Sequence, residues 1–303
     1  MAPPVQPIAR LAGAAGVAAL AIVLATTVFR AAPTQPSVSS GPDIEALPTP
    51  PSTVNVPADS PTAATTPYGD PNRPLCGTLR TRFVDGGQYV VQNDEYNSSA
   101  PECLQTDGNA DFTVQTSGID VAESGQPGAY VDIYRGCTLG VCSTGGGFPI
   151  QVSSLAAGDV TSSWSINRPG SSDVYDAAYD IWYNRTAVAP GQPNGAEVMV
   201  WLAEQGVRPY GAEIATDVSI GGYTFDVFEG PQPGWDVVSY QLVGGADSVT
   251  GLDVGLLTQD SVDRGYIQPA WYLVDVEAGF ELWQGGAGLA TGSFSVDVSG
   301  AGK

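Results

Sequence analysis

The sequence has 303 residues, of which 43% are hydrophobic and 9% aromatic, so the chain can bury a sizeable core and is not wholly disordered. Its 32 acidic residues outnumber the 11 basic ones, and the formal net charge is −21. Such a surface repels phosphate backbones, anionic lipids and anionic polysaccharides, which argues against nucleic acid as a partner but not against a neutral glucan. The alternative is that the acidity only keeps an exported protein soluble.

Histidine is absent from the sequence. This absence excludes Ser-His-Asp and Cys-His catalysis and every His-ligated metal site. Any catalysis must therefore use carboxylates, tyrosine, lysine or an unusual site, and we expect no metal and no cofactor.

The N-terminal segment predicts export. A basic stretch ending in Arg10 precedes a run of apolar or small residues from 11 to 29, and Arg30 closes the run. This arrangement is typical of a secretory signal, but the run is also near the length that spans a bilayer, and the cleavage site that follows it is poor. We therefore expect residues 1–32 to be a signal peptide or an uncleaved membrane anchor, and the folded part to be extracellular.

Residues 33–72 form a second segment, rich in Pro, Ser and Thr and poor in aromatic residues. Such a composition predicts a semi-extended, disordered tether. Its role would be to hold the following domain away from a membrane or wall.

Four cysteines follow the tether, at Cys76, Cys103, Cys137 and Cys142. Four cysteines allow three pairings, of which the one between sequence neighbours closes a medium loop and a very short one. Zinc is the competing interpretation, but the spacings are not those of two C-x2-C pairs. Disulfides also agree with export.

Residues 73–303 have the pattern of an all-β domain. Short runs of β-branched and aromatic residues recur between turns rich in Gly, Pro, Asn and Ser, such as QYVVQN, YVDIY, YDIWYN, EVMVWL, YTFDVF, DVVSYQLV, AWYLVDV and GSFSVDV. These runs predict the strands of a β-sandwich or jelly roll built from two antiparallel sheets. One short helix is expected over Gly255–Arg264.

Three of these strands combine an acid and a large aromatic or thioether side chain on one face. Residues two apart in a strand point the same way. The groups that share a face are Asp180 with Trp182; Glu197 with Met199 and Trp201; and Glu281 with Trp283. The opposite faces of these strands are wholly or largely apolar, so we expect the acidic faces to line a cleft rather than the core.

Acids beside aromatic faces match the needs of glycosidic bond cleavage. One carboxylic acid protonates the leaving oxygen, a second carboxylate acts as nucleophile or base, and aromatic rings stack on sugar rings. The simpler interpretation is that single acids on strands are solvated surface groups. The strand period alone does not choose between Glu277 and Glu281, which share one face.

Several motifs of the chain occur in the order and spacing of a known family: YVVQN, the two cysteine pairs, YDAAYDIWYN, AEVMVWL and AGFELWQGGAGLATGSFS. In these motifs the chain resembles glycoside hydrolase family 12, especially its actinobacterial endoglucanases and cellulases. The resemblance extends from Leu75 to Ser299. It implies a jelly roll with an open cleft on the concave sheet, and endo-acting hydrolysis of β-1,4-glucosidic bonds in cellulose or related β-glucans by a retaining double displacement. It also implies that the cysteines pair as sequence neighbours.

The resemblance assigns roles to individual residues. Glu197 matches the nucleophile and Glu281 the general acid and base, while Asp180 matches a supporting acid near the nucleophile. The remaining matches are substrate-binding positions: Asn93 and Tyr96 as a glycone-side pair, and Met199 and Trp201 on the cleft floor. At Tyr96 the family commonly has Trp, so weaker glycone-side stacking is expected.

The rival hypothesis is a non-catalytic carbohydrate-binding or wall-interaction module on the same fold. Loss of Glu197 or Glu281 would be expected in such a module, and both are present. We expect a monomer that binds a neutral β-glucan.

Overall fold

The structure is a computed structural model that describes residues 70–170 and 172–299. The predicted signal peptide or anchor, and all but the last three residues of the predicted tether, lie outside these residues. Among the residues that the structure describes, no helix is both long and apolar enough to cross a membrane.

The described residues form seventeen strands, one α-helix and two short 3-10 turns. The strands are β1 (Leu75–Cys76), β2 (Arg80–Val84), β3 (Tyr89–Glu95), β4 (Glu102–Gln105), β5 (Phe112–Ser117), β6 (Ala129–Thr138), β7 (Val141–Cys142), β8 (Ile150–Gln151), β9 (Val160–Asn167), β10 (Val174–Asn184), β11 (Ala196–Gln205), β12 (Ala212–Ile220), β13 (Tyr223–Gln232), β14 (Trp235–Leu242), β15 (Ser248–Asp253), β16 (Tyr272–Gln284) and β17 (Ala290–Val298). The helix, α1, is Val254–Asp263, and the 3-10 turns are Asp85–Gly87 and Val152–Ser154.

The strands form two sheets, which confirms the predicted sandwich. The smaller sheet has the order β1-β4-β5-β17-β9-β15, and the larger has the order β12-β13-β14-β11-β10-β16-β6-β3-β2, with β7 beside β6 and β8 beside β16. Pairing is antiparallel except between β11 and β14, which run parallel. The three acid-bearing strands β11, β10 and β16 are therefore consecutive neighbours at the centre of the larger sheet.

The hydrophobic core lies between the two sheets because alternate residues of each central strand are apolar. Ile181, Val198 and Phe280, from three neighbouring strands of the larger sheet, are all fully buried in it. Trp164 of β9 connects the sheets, since its ring lies 5.2 Å from that of Tyr179 and 5.9 Å from that of Phe280. Burying one such side chain contributes about 1.5–3 kcal/mol, so this layer holds the central strands rigidly in place.

Helix α1 confirms the predicted helix and begins one residue earlier. Asp253 caps it, because its carboxylate accepts a hydrogen bond from the backbone N–H of Leu256 at 3.0 Å. Its apolar side chains Val254 and Leu257 belong to the core.

Two disulfides join the cysteines as sequence neighbours, which confirms the predicted pairing. Cys76–Cys103 links β1 to β4 at the edge of the smaller sheet, and Cys137–Cys142 closes the β6–β7 hairpin.

Candidate active site

A cleft of about 850 Å³ lies over the larger sheet, on the face that does not contact the smaller sheet. We call it the cleft. Its lining includes most of the residues singled out from the sequence: Asp180, Glu197 and Glu281, with Tyr96, Trp182, Met199, Trp201 and Trp283. The strand period places them there, because their neighbours along each strand point into the core.

Glu197 lies near the start of β11, and its side chain is nearly buried. Its Oε2 accepts a hydrogen bond of 2.8 Å from the indole N–H of Trp235. Trp235 begins the parallel neighbour β14, and its ring meets that of Trp182 edge-on at 5.5 Å. Sequence reasoning missed Trp235, because no acid lies two residues from it on the same face of its strand. In addition, the parallel pairing of β11 with β14 joins segments distant in the chain.

Glu281 lies on β16 and is partly exposed to the cleft. Its backbone N–H donates to Oδ1 of Asp176 at 3.4 Å, so Asp176 of β10 lies beside it. Asp176 is fully buried and was not singled out from the sequence.

Asp180 lies on β10, the strand between the two that carry the glutamates. It is paired across the sheet with Met199 on one side and with Glu277 on the other. Burial, and then the charges of Glu197 and Glu281, raise the pKa of the Asp180 carboxyl. This position brings a third acid between the strands of the two glutamates.

The pKa values of both glutamates are raised in the cleft. Burial, and next the charge of Glu281, raise the pKa of Glu197 to about 8, while the hydrogen bond from Trp235 opposes the rise. Burial also raises the pKa of Glu281, and its interaction with Asp176 opposes that rise. Both carboxyl groups therefore keep their protons to higher pH than ordinary glutamates do.

Indole and thioether groups form much of the apolar wall of the cleft. The indole N–H of Trp201 donates to the Met199 sulfur at 3.5 Å, and that of Trp283 donates to the carbonyl of Gly125 at 2.9 Å. These contacts fix the ring planes before any ligand arrives. Tyr96 differs, since 49% of it is exposed at the mouth of the cleft.

Asn93 is not brought to the cleft. It is fully buried on the opposite face of β3, where its Nδ2 donates to the carbonyl of Glu102 at 3.4 Å. Asp94, the next residue, lines the cleft together with Tyr96, because residues two apart share a face. Asp94, and not Asn93, therefore shares the cleft lining with Tyr96.

Three further acids lie on the cleft side of the sheet, and we call them the carboxyl row: Asp132, Asp275 and Glu277. All three are buried, and the pKa of each is raised, chiefly by burial and then by a neighbouring carboxylate. Within residues 70–170 and 172–299, the ion pairs join Arg168 to Asp247 and Arg264 to Asp260, neither of them in the cleft. The same part of the chain contains no group of three or more His, Cys, Asp or Glu side chains that could hold a metal ion.

Comparison with known proteins gives an independent result. A sequence model of glycosyl hydrolase family 12 matches residues 87–299. The chain is 28% identical over 238 residues to a xyloglucan-specific endo-β-1,4-glucanase of Aspergillus niger, a match that covers 74% of this chain and 90% of that protein.

Solved structures of family 12 endoglucanases are similar to this chain as well. An endoglucanase from Rhodothermus marinus is 37% identical, with a TM-score of 0.69, and the match covers 74% of this chain and 97% of that one. A metagenome-derived family 12 endoglucanase is 34% identical, with a TM-score of 0.70, and covers 75% of this chain and 97% of its own.

Proposed function

The chain belongs to glycosyl hydrolase family 12 and is an endo-β-1,4-glucanase, and we propose that it cleaves with retention, using Glu197 as nucleophile and Glu281 as general acid and base. The observation that carries this proposal is the meeting of both glutamates in one cleft, with Asp180 on the strand between them and indole rings around them. The substrate is a neutral β-1,4-glucan, in keeping with the acidity of the cleft.

The first step forms a covalent intermediate. Glu281, whose raised pKa favours its protonated form, gives its proton to the glycosidic oxygen as the bond from that oxygen to the anomeric carbon breaks. A carboxylate oxygen of Glu197 attacks the same carbon and forms an ester bond. The shortened glucan leaves with a new hydroxyl group.

The second step reverses the roles. Glu281, now ionised, takes a proton from a water molecule, whose oxygen attacks the anomeric carbon and releases Glu197 as a carboxylate. Two inversions at one carbon retain its configuration. The donor from Trp235 stabilises the leaving carboxylate of this step.

Tyr96 and Asp94 are proposed to hold the glycone end. The exposed ring of Tyr96 offers a stacking face, and the neighbouring carboxyl group of Asp94 meets sugar hydroxyls. Burial raises the pKa of Asp94 to about 6, so below that pH it also donates a hydrogen bond.

Export is also proposed, and two disulfides support it, because such bonds persist in oxidising compartments. Anchoring through residues 1–32 stays a prediction, as does the monomeric state.

The test is reducing-sugar release from carboxymethyl-cellulose, mixed-linkage β-glucan and xyloglucan by wild type, Glu197→Gln and Glu204→Gln. Glu204 is the matched control, since it is exposed near the end of the same strand. We expect Glu197→Gln to abolish turnover on every polymer and Glu204→Gln to behave as wild type. Activity that survives in Glu197→Gln would refute the assignment, and an initial product of inverted anomeric configuration, observed by NMR, would refute retention.

A further inference from the structure

Two large aromatic side chains are exposed in the part of the chain that the structure describes, and both line the cleft. They are Tyr96, 49% exposed, and Tyr210, 53% exposed. Exposed aromatic rings at a cleft that binds sugar are candidates for stacking platforms. Tyr210 has no role in the function proposed above.

The two tyrosines lie on opposite sides of the catalytic strands. Tyr96 directly follows β3, whereas Tyr210 lies two residues before the start of β12 and contacts β13. In the sheet order, β10, β11 and β16 lie between β3 and β13, which are six strand spacings apart. At about 4.8 Å per spacing this separation is roughly 29 Å, enough for several sugar rings.

Tyr210 is held in place by the backbone beneath it. Its ring packs directly on Gly230 of β13, where a Cβ atom would come within 2.1 Å of the ring carbon Cδ1. Its hydroxyl group donates to the carbonyl of Pro231 at 3.3 Å. The ring is therefore held against the strand, while 53% of the residue stays exposed and can accept a flat apolar surface.

A hydrogen-bond donor lines the cleft on the same segment of the chain as Tyr210. Arg208, two residues earlier and exposed, also lines the cleft. Its guanidinium group can donate to sugar hydroxyls at the edge of a ring stacked on Tyr210. An aromatic face with a donor at its rim is the chemistry that a glucose unit requires.

We propose that Tyr210, with Arg208 at its rim, forms an additional sugar-binding subsite for the leaving (aglycone) end of the glucan. The assignment of the end rests on the proposed function, which gives Tyr96 the glycone end. The subsite makes long chains better substrates than short ones, because only a chain that crosses the cleavage point and continues across β11 and β14 reaches Tyr210.

The first experiment measures binding without turnover. Cellohexaose is titrated calorimetrically into Glu197→Gln, alone and combined with Tyr210→Ala, Tyr210→Phe or Val188→Ala. Val188, 71% exposed and absent from the cleft lining, is the surface control. We expect Tyr210→Ala to weaken binding roughly fivefold to tenfold, and Tyr210→Phe and Val188→Ala to leave binding unaltered. Unchanged binding in Tyr210→Ala would overturn the subsite. This result does not depend on whether the wild type is an active glucanase.

The second experiment locates the end of the chain. Active enzyme and its Tyr210→Ala variant are compared on cellohexaose and on an aryl cellotrioside, whose leaving group is too short to reach Tyr210. We expect kcat/KM to fall for cellohexaose only. An equal loss on both substrates would place Tyr210 on the glycone side and contradict the proposal.

Discussion

Trp235 donates its indole N–H to Oε2 of Glu197 at 2.8 Å. A donor to a carboxylate favours the ionised form, so this bond opposes the burial and the charge of Glu281 that raise the pKa of Glu197 to about 8. Trp235 therefore tunes the proposed nucleophile, which must be ionised to attack.

Replacing Trp235 by Phe keeps an aromatic ring and removes the donor. The pKa of Glu197 then rises further, and the acid limb of the pH profile of kcat/KM moves to higher pH. We expect kcat/KM at acidic pH to fall by roughly tenfold to a hundredfold, as for a lost hydrogen bond to a charged group. Trp271→Phe, outside the cleft lining, is the control, and an acid limb unmoved in Trp235→Phe would contradict this role.

Glu281→Gln should separate the acid from its neighbour Glu277. Without a proton donor, hydrolysis of glucans falls about a hundredfold or more, while aryl cellobiosides, whose leaving group needs little protonation, are largely spared. Glu277→Gln keeps both activities near wild type. Steady-state kinetics of both variants on a glucan and on an aryl cellobioside test this assignment. A selective loss of glucan hydrolysis in Glu277→Gln, and not in Glu281→Gln, would assign the general acid to Glu277.

The two-residue period of the strands predicted which side chains of β10, β11 and β16 face the cleft, because this period depends only on neighbours in the chain. Asp180, Glu197 and Glu281 each had an apolar opposite face, and the core between the sheets accepted those faces. The prediction for Asn93 rested on the family resemblance and not on the strand period. The structure places the Asn93 side chain away from the cleft, since a shift of one residue moves a side chain to the other face of a strand. The places of Trp235 and Tyr210 in the cleft could not be predicted from the sequence. Trp235 reaches Glu197 through the parallel pairing of β11 with β14, and Tyr210 is held by its contact with Gly230, and both join segments that are distant in the chain.

The carboxyl row makes stability depend on pH. Burial raises the pKa of Glu277 from 4.5 to about 8, so between these values the folded state binds more protons than the unfolded state. Stability is then fully present below about pH 4.5 and is lost as the pH rises towards 8. We expect the melting temperature to fall steadily from pH 4.5 to pH 8.

Glu277→Gln tests this explanation directly, since the amide keeps the shape and cannot ionise. The variant should melt at a higher temperature than wild type at pH 8 and show a flatter pH dependence. Glu213→Gln, at an exposed position of β12, should follow the wild type. A Glu277→Gln protein with an unaltered pH dependence would show that the row does not set the stability.

The Cys76–Cys103 disulfide closes a sequence separation of 27 residues. Replacing both cysteines by Ser should lower the free energy of unfolding by about 3 kcal/mol through the unfolded chain's entropy. Urea denaturation measures the change. A loss below about 0.5 kcal/mol would mean that the edge of the smaller sheet contributes little to cooperative unfolding.

The proposed mechanism requires that Glu197 becomes covalently bound to the glucan. The most direct measurement incubates the enzyme with a 2-deoxy-2-fluoro-cellobioside carrying an activated leaving group, which slows the second step, and locates the label by peptide mass spectrometry. We expect one added 2-fluoro-cellobiosyl unit per chain, on the peptide that contains Glu197 and on that residue. A label on Glu281 or Asp180, or an active enzyme that accumulates no label, would contradict it.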